Sequence, residues 1–169
     1  MPSDELTLSL SAQCTECLMA EAAHPRTVAT FVEKHCDHTG HDIAWTEVDL
    51  PGDYQPGRCY EVRCFSCMTR HREPTRPAAE AWAAEHAEYS DHSPDKVEQA
   101  NLDPLSEEAV NRLISVLSEP FGGAVPRSLV ASVLADCSDV DESDAQEVLE
   151  EMLLVGACYE PSDGRIAAV

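Results

Sequence analysis

Basic residues are scarce in this chain: 11 Lys and Arg stand against 32 Asp and Glu, a formal net charge of −21. A field of that sign repels nucleic acid and anionic lipid over most of the surface. The acidity is spread along the chain rather than gathered in a tail. It therefore reads first as a halophilic surface, and second as an acidic interaction surface or a mimic of nucleic acid. Long apolar runs are also missing. No stretch of about 18 apolar residues occurs, so no membrane-spanning helix is expected. The N-terminal MPSDELTLSLSAQ has no basic start and does not read as a secretory signal. A cytoplasmic protein with no membrane partner is the expectation.

Catalytic signatures are absent too. There is no HExxH, no GxSxG and no phosphate loop. His86-Ala87-Glu88 near a CxxC has some letters of a zinc deaminase, but there H-x-E precedes P-C-x-x-C, whereas here the CxxC comes first and no proline precedes it. The expectation is a non-enzymatic protein.

What the chain does have is cysteine and histidine in a repeated arrangement. Its 169 residues suffice for one medium domain or two to three small ones. Eight cysteines in an intracellular chain, with two CxxC pairs followed by histidines, read as metal sites rather than as a disulfide framework. Residues 6–49 overlay residues 56–97. The first unit runs Cys14-x2-Cys17, seventeen residues, His35, five residues, His41; the second runs Cys64-x2-Cys67, eighteen residues, His86, five residues, His92. Four residues before the first histidine stand Phe31 and Trp82, and seven residues before it stand Val28 and Ala79. Those spacings put each set on one helix face. Pro25 and Pro77 near the starts suit a first helical turn.

Each CxxC follows a strand-like run, LTLSLSAQC with Leu6, Leu8 and Leu10 alternating, and RCYEVRC. Each unit then reads as strand, cysteine knuckle, helix, histidine, short turn, histidine. Six helical steps from one histidine to the next would reverse the face. The helix must therefore end between them, at Thr39-Gly40 in the first unit and at Ser90-Asp91 in the second. After His41, DIAWTEVDL can add a strand, while the chain after His92 turns polar. Two cysteines and two histidines make a closed tetrahedral zinc site, and a forty-residue unit depends on such a site to fold. Two structural Zn2+ ions are expected, on Cys14, Cys17, His35 and His41, and on Cys64, Cys67, His86 and His92. A single zinc on Cys14, Cys17, Cys64 and Cys67 is the competing arrangement, and it leaves the repeated histidines unexplained. Cys36 and His38 align with Ala87 and Tyr89, so neither is expected to be a ligand. Cys59, Cys137 and Cys158 read as small hydrophobes, and His24, His38 and His71 as surface residues.

These units resemble two-cysteine, two-histidine zinc fingers and small zinc-ribbon-like proteins over roughly residues 6–97, with a spacer longer than the finger's usual twelve or so.

The basic residues concentrate in RCYEVRCFSCMTRHREPTR, which holds Arg58, Arg63, Arg70, Arg72 and Arg76 against Glu61 and Glu73 and carries +3. Arginine can grip phosphate with a bidentate fork. Arg63, Arg70, Arg72 and Arg76 are therefore the nucleic-acid candidates, and pairing with nearby carboxylates is the equally weighted alternative.

SPDKVEQANLDP reads as a polar linker, about residues 94–104. Beyond it Val110, Leu113, Ile114 and Leu117 follow i, i+3, i+4, i+7 behind an N-capping Ser106. A second helix starts near Pro126 with Leu129, Val130, Val133 and Leu134 inward. A third runs from Asp141 or Glu142 to Val155 with Val148, Met152 and Val155 inward. ACYE, PSDG and RIAAV form a terminal hairpin. This is a winged helix-turn-helix arrangement, and GGAV before a helix with VLEEMLLVGACYEPSDGRI at the end resembles the C-terminal winged helix of archaeal minichromosome maintenance helicases. Winged helices often read DNA with the third helix. Here that helix has Glu142, Asp144, Glu147, Glu150 and Glu151 and no basic residue, so a protein partner or self-association is expected instead. The expected fold is α+β: a first zinc unit over 1–52, a second over 53–93, the linker, and a winged-helix domain over 105–169. The expected function is a regulatory protein that contacts nucleic acid through its second unit, or else a protein-interaction adaptor with structural zinc.

Overall fold

The inward residues Leu8, Leu10, Ala12 and Cys14 recur at every second position, and they build the first strand. The structure, a computed structural model, describes residues 8–50, 54–94 and 96–169; Leu6 and the expected boundary at 52/53 lie outside these residues. Strand β1 (Ser9–Cys14) is central in an antiparallel sheet ordered β2-β1-β3, with β2 (Ala20–Ala23) and β3 (Ile43–Asp49) at its edges. Between β2 and β3 runs helix α1 (Pro25–Thr39), which turns Val28, Ala29, Val32 and His35 onto the sheet. His24, which reads as a surface histidine, is exposed but caps α1, accepting the Arg26 N–H at Nδ1. The register between β1 and β3 slips at Ser11/Ala12. The bulge resets the alternation of β3, so Ile43, Trp45, Val48 and Leu50 all reach the core.

The second unit repeats this order. Strands β4 (Arg58–Cys64) and β5 (Thr69–Glu73) precede helix α2 (Arg76–Ser90), capped by the Thr75 hydroxyl. The stretch expected to be a linker corrects the sequence reading: Lys96–Asn101 is strand β6, paired along β4 from Lys96 opposite Arg63 to Asn101 opposite Arg58. Val97 packs under α2 and Ala100 is half-buried, an apolar signal too sparse to stand out among polar neighbours. The sheet order β5-β4-β6 matches that of the first unit, so the duplication is one of folded ββαβ modules. The second module's own core is small: Tyr60, Val62 and Ala79, flanked by Trp82, Ala83 and Val97.

The C-terminal part holds α3 (Glu107–Ser118), a 3-10 turn at Glu119–Phe121, β7 (Val125–Pro126), α4 (Arg127–Ser138), α5 (Glu142–Leu154), β8 (Cys158–Ser162) and β9 (Arg165–Ala168), with a sheet ordered β7-β9-β8. Ser106 caps α3 through the Ala109 N–H, and Val110, Leu113, Ile114 and Leu117 are inward as their spacing indicates. The inward stripe of α5 differs from the expected one. Ala145, Leu149 and Met152 are buried, Val148 is half-buried and Val155, beyond the helix end, is 75% exposed. The buried stripe begins at Ala145, three positions before Val148, because a small alanine carries a weak apolar signal in the sequence yet is fully buried here.

The first module and the C-terminal helices share one core. Leu8, Leu10, Val28 and Val32 belong to the same buried cluster as Leu113, Leu117, Leu129, Leu149 and Ile166. Trp45 fastens the junction, donating Nε1–H to Ser128 Oγ at 3.1 Å and meeting Phe121 edge-on at 6.2 Å. Arg26–Glu119 (2.6 Å) and Arg165–Glu33 (2.8 Å) bridge it at the rim. The second module meets α3 through charged groups: Arg72 reaches Glu108 at 3.0 Å and Arg112 donates to the Arg72 carbonyl at 3.1 Å. The whole is a mixed α+β chain. Among the described residues no helix is long and apolar enough to cross a membrane.

Candidate metal centres

At the end of β1 the Cys14 sulfur accepts the backbone N–H of Cys17 at 3.3 Å and of Glu16 at 3.4 Å. Burial pushes the Cys14 thiol up, but those two N–H groups, with Cys17 and His35, outweigh it and hold its pKa at about 6. Cys17 moves the other way: the Met19 backbone lowers it, while the adjoining Cys14 and burial prevail and raise it. In the second knuckle the Thr69 hydroxyl, 2.9 Å from Cys67 Sγ, and the His92 ring bring Cys67 to about 6. One thiol per site is thus favoured as thiolate, by the knuckle N–H groups at Cys14 and by Thr69 and His92 at Cys67.

The helix ends deliver the histidines. Thr39 donates its hydroxyl proton to the His35 carbonyl and accepts the His41 N–H; Ser90 does the same between His86 and His92. The residue after each hydroxyl takes the left-handed conformation, Gly40 in the first unit and Asp91 in the second, and its N–H closes on the Cys36 or Ala87 carbonyl. The chain reverses there and returns the second histidine beside the first.

Four donor atoms meet in each unit: those of Cys14, Cys17, His35 and His41 lie within 4.8 Å of one another, and so do those of Cys64, Cys67, His86 and His92. These are the eight residues that the sequence spacing selects. The cysteines divide between two clusters rather than gathering in one. A tetrahedral zinc with bonds of about 2.3 Å to sulfur and about 2.0 Å to nitrogen sets sulfur and nitrogen about 3.5 Å apart. Cys14 Sγ to His41 Nδ1 is 3.4 Å, Cys17 Sγ to His35 Nε2 is 3.5 Å and Cys67 Sγ to His86 Nε2 is 3.4 Å. His92 Nδ1 is buried with no well-formed hydrogen bond among the described residues. A metal ligand would satisfy that otherwise costly nitrogen. The donor set, the spacing and the orphaned nitrogen all fit a metal ion in each cluster.

Surrounding groups orient the ligands. Phe31 stacks on His35 at 5.4 Å, and Trp82 stacks on His86 at 4.9 Å. His71, which the sequence reads as a surface histidine, packs on the other face of Trp82 at 4.5 Å and bonds Glu73 at 2.7 Å. The remaining nitrogen of His41 faces Glu16 Oε2 at 3.2 Å, the carboxylate–imidazole arrangement that fixes a ligand's tautomer. Cys36 lies beside the first site, its thiol on the His41 carbonyl, and is not a member of the cluster; His38 is exposed.

The arginines surround one carboxylate. Glu61, only 5% exposed, lies in mid-β4 on the sheet face opposite α2. Arg63 bonds it at 2.5 Å, Arg72 at 3.0 Å and Arg70 at 3.5 Å, and Arg63 above all holds its carboxyl below the usual carboxylate range. Arg76 is not brought to this face: it lies over the Tyr60 ring on the α2 side and pairs with Glu80 at 3.9 Å. Pairing with nearby carboxylates, the equal alternative in the sequence, is what Arg63, Arg70 and Arg72 show, with Glu61 as the shared partner; the sequence reading missed Lys96. Glu61 alternates with Tyr60 and Val62 in a strand flanked by arginines, which is its only sequence signal.

No family model, curated protein or solved structure matches this chain.

Proposed function

We propose that this is a non-enzymatic regulatory protein in which two zinc ions stabilise tandem ββαβ modules and the second module contacts nucleic acid. The observation that carries the reading is the cluster of Arg63, Arg70 and Arg72 on the sheet face opposite α2 of an otherwise acidic chain, where α3 covers the Arg72 end and leaves Arg63 and Arg70 partly exposed. Zinc suits the donor sets because two thiolates and two imidazoles form a closed tetrahedral shell with no position for a reactive water. In each shell the cysteine knuckle supplies the thiolates, the helix end supplies the imidazoles, and Phe31 or Trp82 keeps a ring in place. The overall acidity fits a chain suited to high salt, where distant charges are screened and a local cationic face can act.

The C-terminal part, read as a winged helix, serves here as a protein-docking or self-association module. α5 exposes Glu142, Asp144, Glu147, Glu150 and Glu151, which disfavour phosphate, while Leu154, Val155 and Tyr159 stand exposed at its end. The adaptor reading, with no nucleic-acid contact at all, rests on this same surface. Titrating labelled single- and double-stranded oligonucleotides at low salt separates the two: no binding to either leaves only the adaptor. Native mass measurement gives the zinc count and the oligomeric state in the same experiment.

A further inference from the structure

All three arginines approach Glu61 through the same atom. Arg63 and Arg70 present Nε to Oε1, and Arg72 presents Nε to Oε2. A guanidinium engaged at Nε keeps its terminal Nη groups for another partner. Arg72 directs Nη1 to Glu108 at 3.0 Å and is spoken for. No Nη contact of Arg63 or Arg70 occurs in the described network of ion pairs, and their side chains are 44% and 59% exposed. In the sheet register Arg63 stands between Arg70 on β5 and Lys96 on β6, and Lys96 is paired with Glu98 of its own strand, so the unpaired Nη forks of the row belong to Arg63 and Arg70. Two residues beyond Arg63, in the knuckle turn, Phe65 is 62% exposed.

We propose that Glu61 is an organiser that holds Arg63 and Arg70 with their Nη forks outward, as a ready-made grip for successive phosphodiesters of a single-stranded nucleic acid. The inference rests on the nucleic-acid reading above and names its ligand class and its working face. Three features favour a single strand over a duplex. The exposed part of the face is strand surface, whereas reading a major groove needs an inserted helix or ribbon. The helix of this module lies on the other side of the sheet, and its exposed Glu80, Glu85 and Glu88 repel phosphate. An exposed aromatic residue two positions from Arg63 along the chain suits alternating base and phosphate. Fixing the two forks in advance removes the rotamer entropy that free arginines would lose on binding.

The test uses the zinc-loaded full chain and fluorescence anisotropy with labelled oligothymidylate and oligouridylate, a labelled duplex, and polyglutamate as a protein-like polyanion. The wild type should prefer the single strands. With two to three phosphates engaged, log K should fall against log salt with a slope of about −1.4 to −2.1. Glu61→Gln is decisive. It adds a positive charge to the face, so charge alone predicts tighter binding, whereas loss of the organiser predicts binding weaker by about tenfold, a drop on the scale of one good bidentate contact. The double variant Arg63→Lys/Arg70→Lys keeps the charge and lacks the forks; it should weaken binding similarly, and it decides the matter if Glu61→Gln loses a zinc. Lys34→Ala, on α1, should bind as the wild type does. If the wild type binds while Glu61→Gln and the lysine variant bind as tightly or more tightly, the organiser is overturned and the nucleic-acid reading stands. If no nucleic acid binds, both fall; preference for the duplex or for polyglutamate overturns the ligand class.

Discussion

Gly40 and Asp91 occupy equivalent positions in the two modules, and both lie in the left-handed region, with φ of 68° and 56°. Each ends the helix between the two histidines of its site. A Cβ at Gly40 would meet nothing within 4 Å, so only backbone strain opposes a side chain there. Gly40→Ala should therefore lower stability by about 1 kcal/mol. Asp91→Gly should raise it by about 0.5–1 kcal/mol, because glycine has no left-handed penalty. Denaturant melts of the zinc-loaded protein give both signs; a destabilised Asp91→Gly would show that the Asp91 side chain makes a contribution larger than its strain.

Two zinc ions per chain are expected, and their removal should not affect the modules equally. The first module continues into the core of Leu113, Leu129 and Ile166, whereas the second has Tyr60, Val62 and Ala79. A core of that size cannot offset chain entropy unaided. On chelation, backbone amides of Val62 and Ala79 should lose hydrogen-exchange protection before those of Leu10 and Val32. Cys67→Ser should leave one zinc per chain and produce the same local opening, read by the same exchange experiment.

Under the proposed zinc reading, protons compete with the metal ion at the thiolates. Cys14 and Cys67 have folded-state pKa values of about 6, below the ordinary thiol value of 9.0. For a thiol so lowered, the stabilisation of the thiolate is complete at alkaline pH above the ordinary value and is lost as pH falls through the folded value. At neutral pH these two sulfurs are already ionised, and below about 6 they take up protons. Zinc should be retained at pH 7 and released increasingly below pH 6, as followed with a colorimetric zinc indicator. Retention unchanged at pH 4.5 would contradict the assignment of thiolates to these sites.

Tyr54 is 4% exposed, and its hydroxyl is buried with no partner among the described residues. Burial pushes that phenol well above its ordinary range. An unsatisfied hydroxyl is costly, so Tyr54→Phe should be neutral or more stable by up to about 1–2 kcal/mol. A melt that shows clear destabilisation would mean that the hydroxyl has a partner after all.

Much of the candidate site is legible in the sequence because metal ligation imposes spacing. Cys14, Cys17, His35 and His41 can converge only if a turn, a helix and a helix end have set lengths, and the second unit repeats those lengths. The helix-ending role of Thr39-Gly40 follows from six residues being the wrong helical interval. Elements without such a constraint are harder to read. KVEQAN forms β6 although it has one half-buried apolar residue per face, Val97 towards α2 and Ala100 on the opposite side beside Cys59, and its ladder with β4 runs its whole length. His71 looks idle in the sequence and closes the Trp82 stack, because its partner is a strand and a helix away.

The sequence by itself determined the duplication, the two donor sets, the helices of the C-terminal part and the charge of each segment, since these depend on local period and on spacing along one chain. Tertiary structure alone decided which surfaces those segments share. It merged the first module with the C-terminal core through Trp45, left the second module on a small core of its own, and divided the arginines between two sheet faces. The physical reason is the two-residue period of a strand. It sends Arg63 to the side of Glu61 and turns Tyr60 towards α2, and only the folded sheet shows that α2 covers one side while α3 reaches part of the other.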